Sequence, residues 1–100
     1  MANICENTLR VYSTDPKNLE YIKEFFNNVL DGDVQIMDSE NLDIYFNSKW
    51  VFPEEEMNKL FDGLPNKKDI DMCCLSVEWG CPYCEFHTCK DSEGWLSDQI

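Results

Sequence analysis

The sequence is poor in glycine and in basic residues, and each shortage excludes a class of function. Only 4 of the 100 residues are glycine, and none is spaced as a phosphate-cradling loop, so nucleotide binding is not expected. Only 8 side chains are Lys or Arg, against 20 Asp and Glu, and the formal net charge is −12. Such a charge repels nucleic acids and anionic membranes, because binding to them comes from basic side chains that displace counterions. We therefore expect no direct contact with nucleic acid or membrane, and a basic or nucleic-acid-binding protein as the partner.

Long apolar runs are missing as well. No stretch approaches the roughly 20 residues of a membrane-spanning helix, and residues 1–6 lack the basic start and apolar segment of a secretory signal. These absences predict a cytoplasmic protein, in which the 6 cysteines are reduced by default. Hydrophobic residues still make up 43% of the chain, which is enough for a core, and no repeat or linker divides it. One domain over residues 1–100 is the expectation.

Apolar periodicity predicts two helices among short strands. Alternation predicts strands at residues 5–12, 34–37, 42–47, 70–79 and 83–88. The first helix is predicted to open at Asp15-Pro16 and to close at Asp31-Gly32. The second is predicted to start at Pro53 and to end at Gly63 and Pro65, while the tail from residue 90 shows no clear period.

The predicted order of elements is β-α-β-β-α-β-β, which indicates an α+β fold. Two helices between groups of strands are best buried side by side on one face of a single antiparallel sheet. The prediction is therefore a ferredoxin-like two-layer sandwich with an added strand, a topology that implies no iron–sulfur cluster. On the strand at 70–79, Leu75 and Val77 fall on one face, whereas Cys74 and Ser76 fall on the other.

A cluster of soft ligands near the C-terminus is the one place where the sequence suggests chemistry. It consists of Cys81, Cys84, His87 and Cys89. Cys81 and Cys84 have the spacing of a zinc half-site, and zinc prefers thiolates and imidazoles in a tetrahedral arrangement. On a regular strand, however, His87 and Cys89 share one face while Cys84 points to the other, so a single zinc site would need a bulge.

The same cysteines allow two further interpretations. Cys81-Pro82-Tyr83-Cys84 is the active-site tetrapeptide of glutaredoxins, which suggests a dithiol redox protein. That chemistry needs a thiolate stabilised at the start of a helix, and here the tetrapeptide lies between predicted strands. The interpretation that we favour is a hairpin whose thiols are packing residues, because free cysteine is often a small buried hydrophobe.

Short motifs along the chain resemble the YubB-type ferredoxin-like domains, which are small proteins of plasmids, phages and bacterial chromosomes. The N-terminus resembles their opening Met-x-Asn-aromatic-Cys-x-Asn-x-Leu through Asn3, Cys5, Asn7 and Leu9, with Ile4 where an aromatic residue is common. Two further segments resemble the family's Trp-x-x-Pro and Glu-x-Gly…Phe motifs: Trp50-Val51-Phe52-Pro53, and Glu78-Trp79-Gly80 with Phe86. The resemblance implies the fold and the setting, and it carries no catalytic residues.

Together these observations predict a non-enzymatic, acidic protein-interaction module that uses an acidic surface or the open face of its sheet. A DNA-mimic inhibitor is a special case that rests on the net charge of −12 alone. The alternatives left open are a small zinc protein and a dithiol redox protein, both built on the hairpin cysteines.

Overall fold

The computed structural model describes residues 4–28, 30–49, 51–80, 83–90 and 93–99, with the side chains of 97–99 excepted. The strands are β1 (Ile4–Tyr12), β2 (Gly32–Ile36), β3 (Asn41–Lys49), β4 (Asp71–Glu78), β5 (Tyr83–Lys90) and β6 (Trp95–Gln99). The helices are α1 (Pro16–Asn28), between β1 and β2, and α2 (Glu54–Asp62), between β3 and β4. Within the described residues, neither helix combines the length and the apolar character needed to cross a membrane.

The strands form one sheet in the order β2-β3-β1-β4-β5-β6, and every neighbouring pair is antiparallel. The predicted α+β class is confirmed. The predicted element order is wrong at its C-terminal end, because the tail adds a sixth strand. Only Trp95 and Leu96 are apolar in β6, so periodicity could not reveal it. Backbone pairing with β5, from Cys89 opposite Trp95 to Glu85 opposite Gln99, is what makes this segment a strand.

Side-chain alternation divides the sheet into a covered face and an open one. In the central strand β1 the buried residues are every second one: Cys5, Asn7, Leu9 and Val11. Leu9 lies between Ile44 of β3 and Cys74 of β4, and all three are fully buried. The helices contribute Ile22 and Met57 to the same core cluster. The sheet residues of that cluster share one side, so both helices pack there, in an arrangement compatible with two layers.

The helix ends follow from local chemistry. At the start of α1, Asp15 Oδ1 accepts a hydrogen bond from the Lys17 N–H at 2.9 Å, as an N-cap does. The predicted end of this helix is wrong. The helix stops at Asn28, and Gly32 instead begins β2, where an added Cβ would lie only 2.9 Å from Phe26 Cδ1. Glycine at that position therefore permits the close approach of β2 to α1.

The buried Asn18 amide ties α1 to the turn that precedes β4. Its Nδ2 donates to the carbonyls of Asn66 at 2.8 Å and Asp69 at 2.9 Å. Its Oδ1 accepts the Asn66 N–H at 3.0 Å. One side chain thus satisfies three backbone groups of the turn, which fixes where β4 begins relative to the helix layer.

We predict that Asn18→Ala lowers the free energy of unfolding by about 3 kcal/mol, because it leaves buried backbone groups without partners. The matched control is Asn58→Ala on the exposed side of α2, for which we expect a change within about 0.5 kcal/mol. Urea unfolding followed by circular dichroism measures both variants. Equal effects in the two variants would contradict the assigned role of Asn18.

Candidate functional site

The predicted ligand cluster does not converge in the described part of the chain. Cys81 lies outside the described residues. Cys84 pairs with Val77 and faces the open side of the sheet, whereas His87 and Cys89 pair with Cys74 and Met72 and face the helices. The register from Tyr83 to Lys90 runs without a bulge, so nothing turns Cys84 towards the others. Among the described residues, no group of three or more His, Cys, Asp or Glu is placed to hold a metal ion.

The thiols on the covered face serve the core. Cys5, Cys74 and Cys89 are fully buried and not disulfide-bonded. Burial raises the pKa of the Cys74 thiol to about 12, and it does the same for Cys89. Both remain protonated at neutral pH, and a protonated thiol is a poor nucleophile. Cys84, the described member of the glutaredoxin-like pair, lies on strand β5 and faces the side of the sheet opposite the helices.

His87 is a buried residue of the helix side. Its ring stacks on Phe52, with centroids 3.6 Å apart and planes 11° from parallel. Its Nε2 lies 3.1 Å from Glu85 Oε1. Burial lowers the pKa of His87 below 6.5, while Glu85 and Glu54 oppose that shift. The imidazole is therefore mainly neutral at pH 7 and anchors the segment before α2 to β5.

A cleft of about 320 Å³ lies over this histidine. It is lined by Val51, Phe52, Glu54, Tyr83, Glu85 and His87. The Tyr83 hydroxyl donates to Glu85 and accepts the Phe52 N–H at 3.3 Å. Burial raises the pKa of Tyr83 to about 12, so this hydroxyl keeps its proton at neutral pH. With the tyrosine protonated and the nearby thiol of Cys5 raised in pKa by burial, the described groups supply no activated nucleophile here.

The open face of the sheet, unlike the face that the helices cover, exposes apolar side chains. Its strands β4, β5 and β6 carry the apolar half, which we define as Cys73, Leu75, Val77, Cys84, Phe86 and Leu96. Trp79, exposed over 78% of its surface, adjoins this half and donates from its indole to Glu6 of β1. Leu75 and Leu96 are exposed over 38% and 60% of their surfaces. No described helix packs against this side of the sheet.

The remaining strands of the open face carry polar and acidic side chains beside two hollows. One hollow, of about 580 Å³, is lined in part by Glu6, Asp31 and Tyr45. The other, of about 420 Å³, is lined in part by Tyr12 and by the carboxylates of Asp38, Asp43 and Asp71. Arg10 also lines the second hollow, and its Nε lies 3.6 Å from Asp43 Oδ1. The hollows together present five carboxylates against one guanidinium.

Sequence reasoning anticipated part of this site. It placed Leu75 and Val77 on one face of their strand and Cys74 on the other, as the register shows. It did not anticipate the division of the open face into apolar and acidic halves. That division depends on which strands are neighbours, and the composition of the single strands does not contain that information.

We predict that His87, the only histidine of the chain, titrates with a midpoint below 6.5. Because the pKa of His87 is lower in the folded chain than in the unfolded chain, the unfolded chain takes up the proton more readily as the pH falls. The contribution of His87 to the free energy of unfolding is therefore present above pH 6.5 and is lost as the pH falls through the folded-state pKa. Glu85→Gln should lower the midpoint further, because Glu85 is an anion that favours the charged imidazole. Glu24→Gln on the exposed side of α1 is the control. Proton NMR of the imidazole measures all three proteins, and a midpoint above 6.5 in the unmodified chain would contradict this description.

Comparisons of the chain with protein-family models, with curated proteins and with solved structures found no match. The resemblance to the YubB-type domains therefore stays a prediction from short motifs, of which Asn3 and Trp50 lie outside the described residues.

Proposed function

We propose that the chain is a non-enzymatic protein-interaction module that binds a basic partner through the open face of its sheet. The observation that carries this proposal is the uncovered apolar half, together with Trp79 at its border. Contiguous apolar surface of this kind is uncommon on soluble proteins unless another molecule covers it. Strand pairing already fixes the backbone that carries these side chains, so docking does not have to order that backbone.

The charge supports a basic partner. At −12 the chain attracts cationic proteins from a distance and speeds their encounter, an effect that salt screens. The two hollows place carboxylates where the cations of a docked protein would reach them. DNA-binding proteins are one class with such cations. A DNA-mimic inhibitor is the special case in which the partner's nucleic-acid site is the surface that docks.

The proposal also includes a ferredoxin-like fold and a cytoplasmic location. We take the architecture as a ferredoxin-like sandwich that β5 and β6 extend at one edge, as in the YubB-type domains of plasmids, phages and bacteria. The sheet order β2-β3-β1-β4 with two helices on one side supports this assignment. A cytoplasmic location is supported by the free thiols of the described cysteines, since that compartment keeps thiols reduced.

The test is a comparative capture with three immobilised proteins in a bacterial lysate. Leu75→Lys places a cation in the apolar half, and we predict that it abolishes retention of a basic protein that the unmodified chain holds at low salt and releases at high salt. Ile36→Lys is the matched control, because Ile36 is also exposed but lies on the helix side of the edge strand β2. Bound proteins are identified by mass spectrometry.

The capture is decisive only as a comparison between variants. A basic protein retained equally by Leu75→Lys and Ile36→Lys would contradict docking on the open face. Unchanged circular-dichroism spectra and melting temperatures for both variants exclude unfolding as the cause of a loss, since both side chains are already solvent-exposed in part.

A further inference from the structure

We infer that the element of the partner that docks on the open face is an amphipathic basic α-helix lying along the strands, with its apolar side on β4–β6 and its cations over the two hollows. This inference rests on the proposed function and specifies the partner's chemistry.

The width of the apolar half fits a helix. Neighbouring strands lie about 4.8 Å apart, so β4, β5 and β6 span roughly 10–14 Å including their side chains. An α-helix with its side chains is about 10–12 Å across. Leu75, Val77 and Phe86 lie in the middle of this strip and Leu96 lies at its outer edge. A single extended strand would cover only part of this width.

Acidic side chains of the two hollows lie on the β1 side of that strip. On β4 and β5 the open-face residues are uncharged from Cys73 to Val77 and from Cys84 to Thr88, and Asp71 and Lys90 appear only where the strands meet their ends. Of the carboxylates that line the hollows, Glu6 lies on β1 and Asp43 lies on β3, one and two strand spacings from β4, whereas Asp71 lies at the end of β4 itself. Cations on the β1-facing flank of a helix seated over β4–β6 extend towards Glu6 and Asp43, whereas the opposite flank lies at β6, the edge strand of the sheet.

The spacing along the strands sets the spacing of the cations. Glu6 belongs to the first hollow and Arg10, which pairs with Asp43, belongs to the second. These positions are four residues apart on β1, or roughly 13 Å at 3.3 Å per residue. A helix rises about 1.5 Å per residue, so side chains seven or eight residues apart on one flank are separated by about 10–12 Å. The partner helix therefore carries Lys or Arg at i and i+7 or i+8.

The Arg10–Asp43 pair shows that this surface accommodates a guanidinium beside a carboxylate. The Asp43 side chain is only 13% exposed, whereas that of Arg10 is 72% exposed and held at one carboxylate oxygen. A pair with such an exposed cation contributes little to stability. An incoming basic side chain can therefore approach Asp43 without breaking a strong contact, and Asp71 lines the same hollow.

The experiment uses synthetic, fluorescently labelled peptides of about 18 residues, roughly 27 Å as a helix. The test peptide contains leucine along one face and lysine at i and i+7 on one flank, in an alanine background. The first control keeps the composition but scatters the leucines around the helix. The second keeps the leucine face but moves the lysines to i and i+4. Fluorescence anisotropy with the full chain gives each affinity.

We predict that the test peptide binds at least about 10-fold more tightly than the scattered peptide, because only it buries a continuous apolar face. Leu75→Lys should weaken its binding about 10-fold or more. Asp43→Asn should weaken it several-fold and reduce the dependence of the affinity on salt, whereas Asp62→Asn, on α2, should leave both unchanged. The i and i+4 peptide should bind more weakly than the test peptide.

Equal affinities for the ordered and scattered peptides, or binding that Leu75→Lys leaves unchanged, would overturn the inference. Failure of every peptide to bind would overturn it too. The proposed function is judged separately by the capture with the full-length variants. A basic protein that is lost only from Leu75→Lys, together with peptides that do not bind, would mean that the open face docks a partner by another element.

Discussion

The central constraint on this molecule is that two helices cover one side of a six-stranded sheet. β1 pairs with β3 from Ile4 to Tyr12 and with β4 from Cys5 to Tyr12. Its alternation therefore decides which side chains of these three strands face the core and which face the open side. The covered side holds the core cluster and the buried polar groups. The open side is left with Leu75, Phe86, Leu96 and Trp79. The proposed function follows from this asymmetry, because the apolar half has no cover within the described chain.

The same alternation explains why the cysteine cluster does not form a site in the described residues. On β5 it sends Cys84 to the open side and His87 to the helix side, in a register without a bulge. His87 then becomes a packing residue, stacked on Phe52 and placed against Glu85. Burial lowers the pKa of His87 and raises the pKa values of Cys74 and Cys89, so at neutral pH the imidazole is neutral and both thiols are protonated. These buried polar groups therefore contribute to the packing of the core as uncharged groups.

Sequence patterns predicted the α+β class, both helices and five strands, since Leu42, Ile44 and Phe46 or Leu9 and Val11 alternate clearly. These patterns failed where contacts between distant segments determine the local structure. β6 forms because β5 offers an unpaired edge, and Gly32 serves a close approach to Phe26 that no local pattern encodes. The acidic hollows combine residues of three or four segments, among them Asp31 with Glu6 and Asp38 with Asp71. Their proximity depends on strand order, which single segments do not reveal.

Thiol footprinting is the measurement that tests docking on the open face most directly, because Cys84 lies within the apolar half. The chain is alkylated with iodoacetamide, free and in complex with its captured partner, and labelling is quantified by peptide mass spectrometry. Cys5, Cys74 and Cys89 are fully buried and serve as internal references that label only on unfolding. The account predicts that partner binding slows alkylation of Cys84 and leaves the references unlabelled. Alkylation of Cys84 at the same rate in the free and bound chain would contradict it.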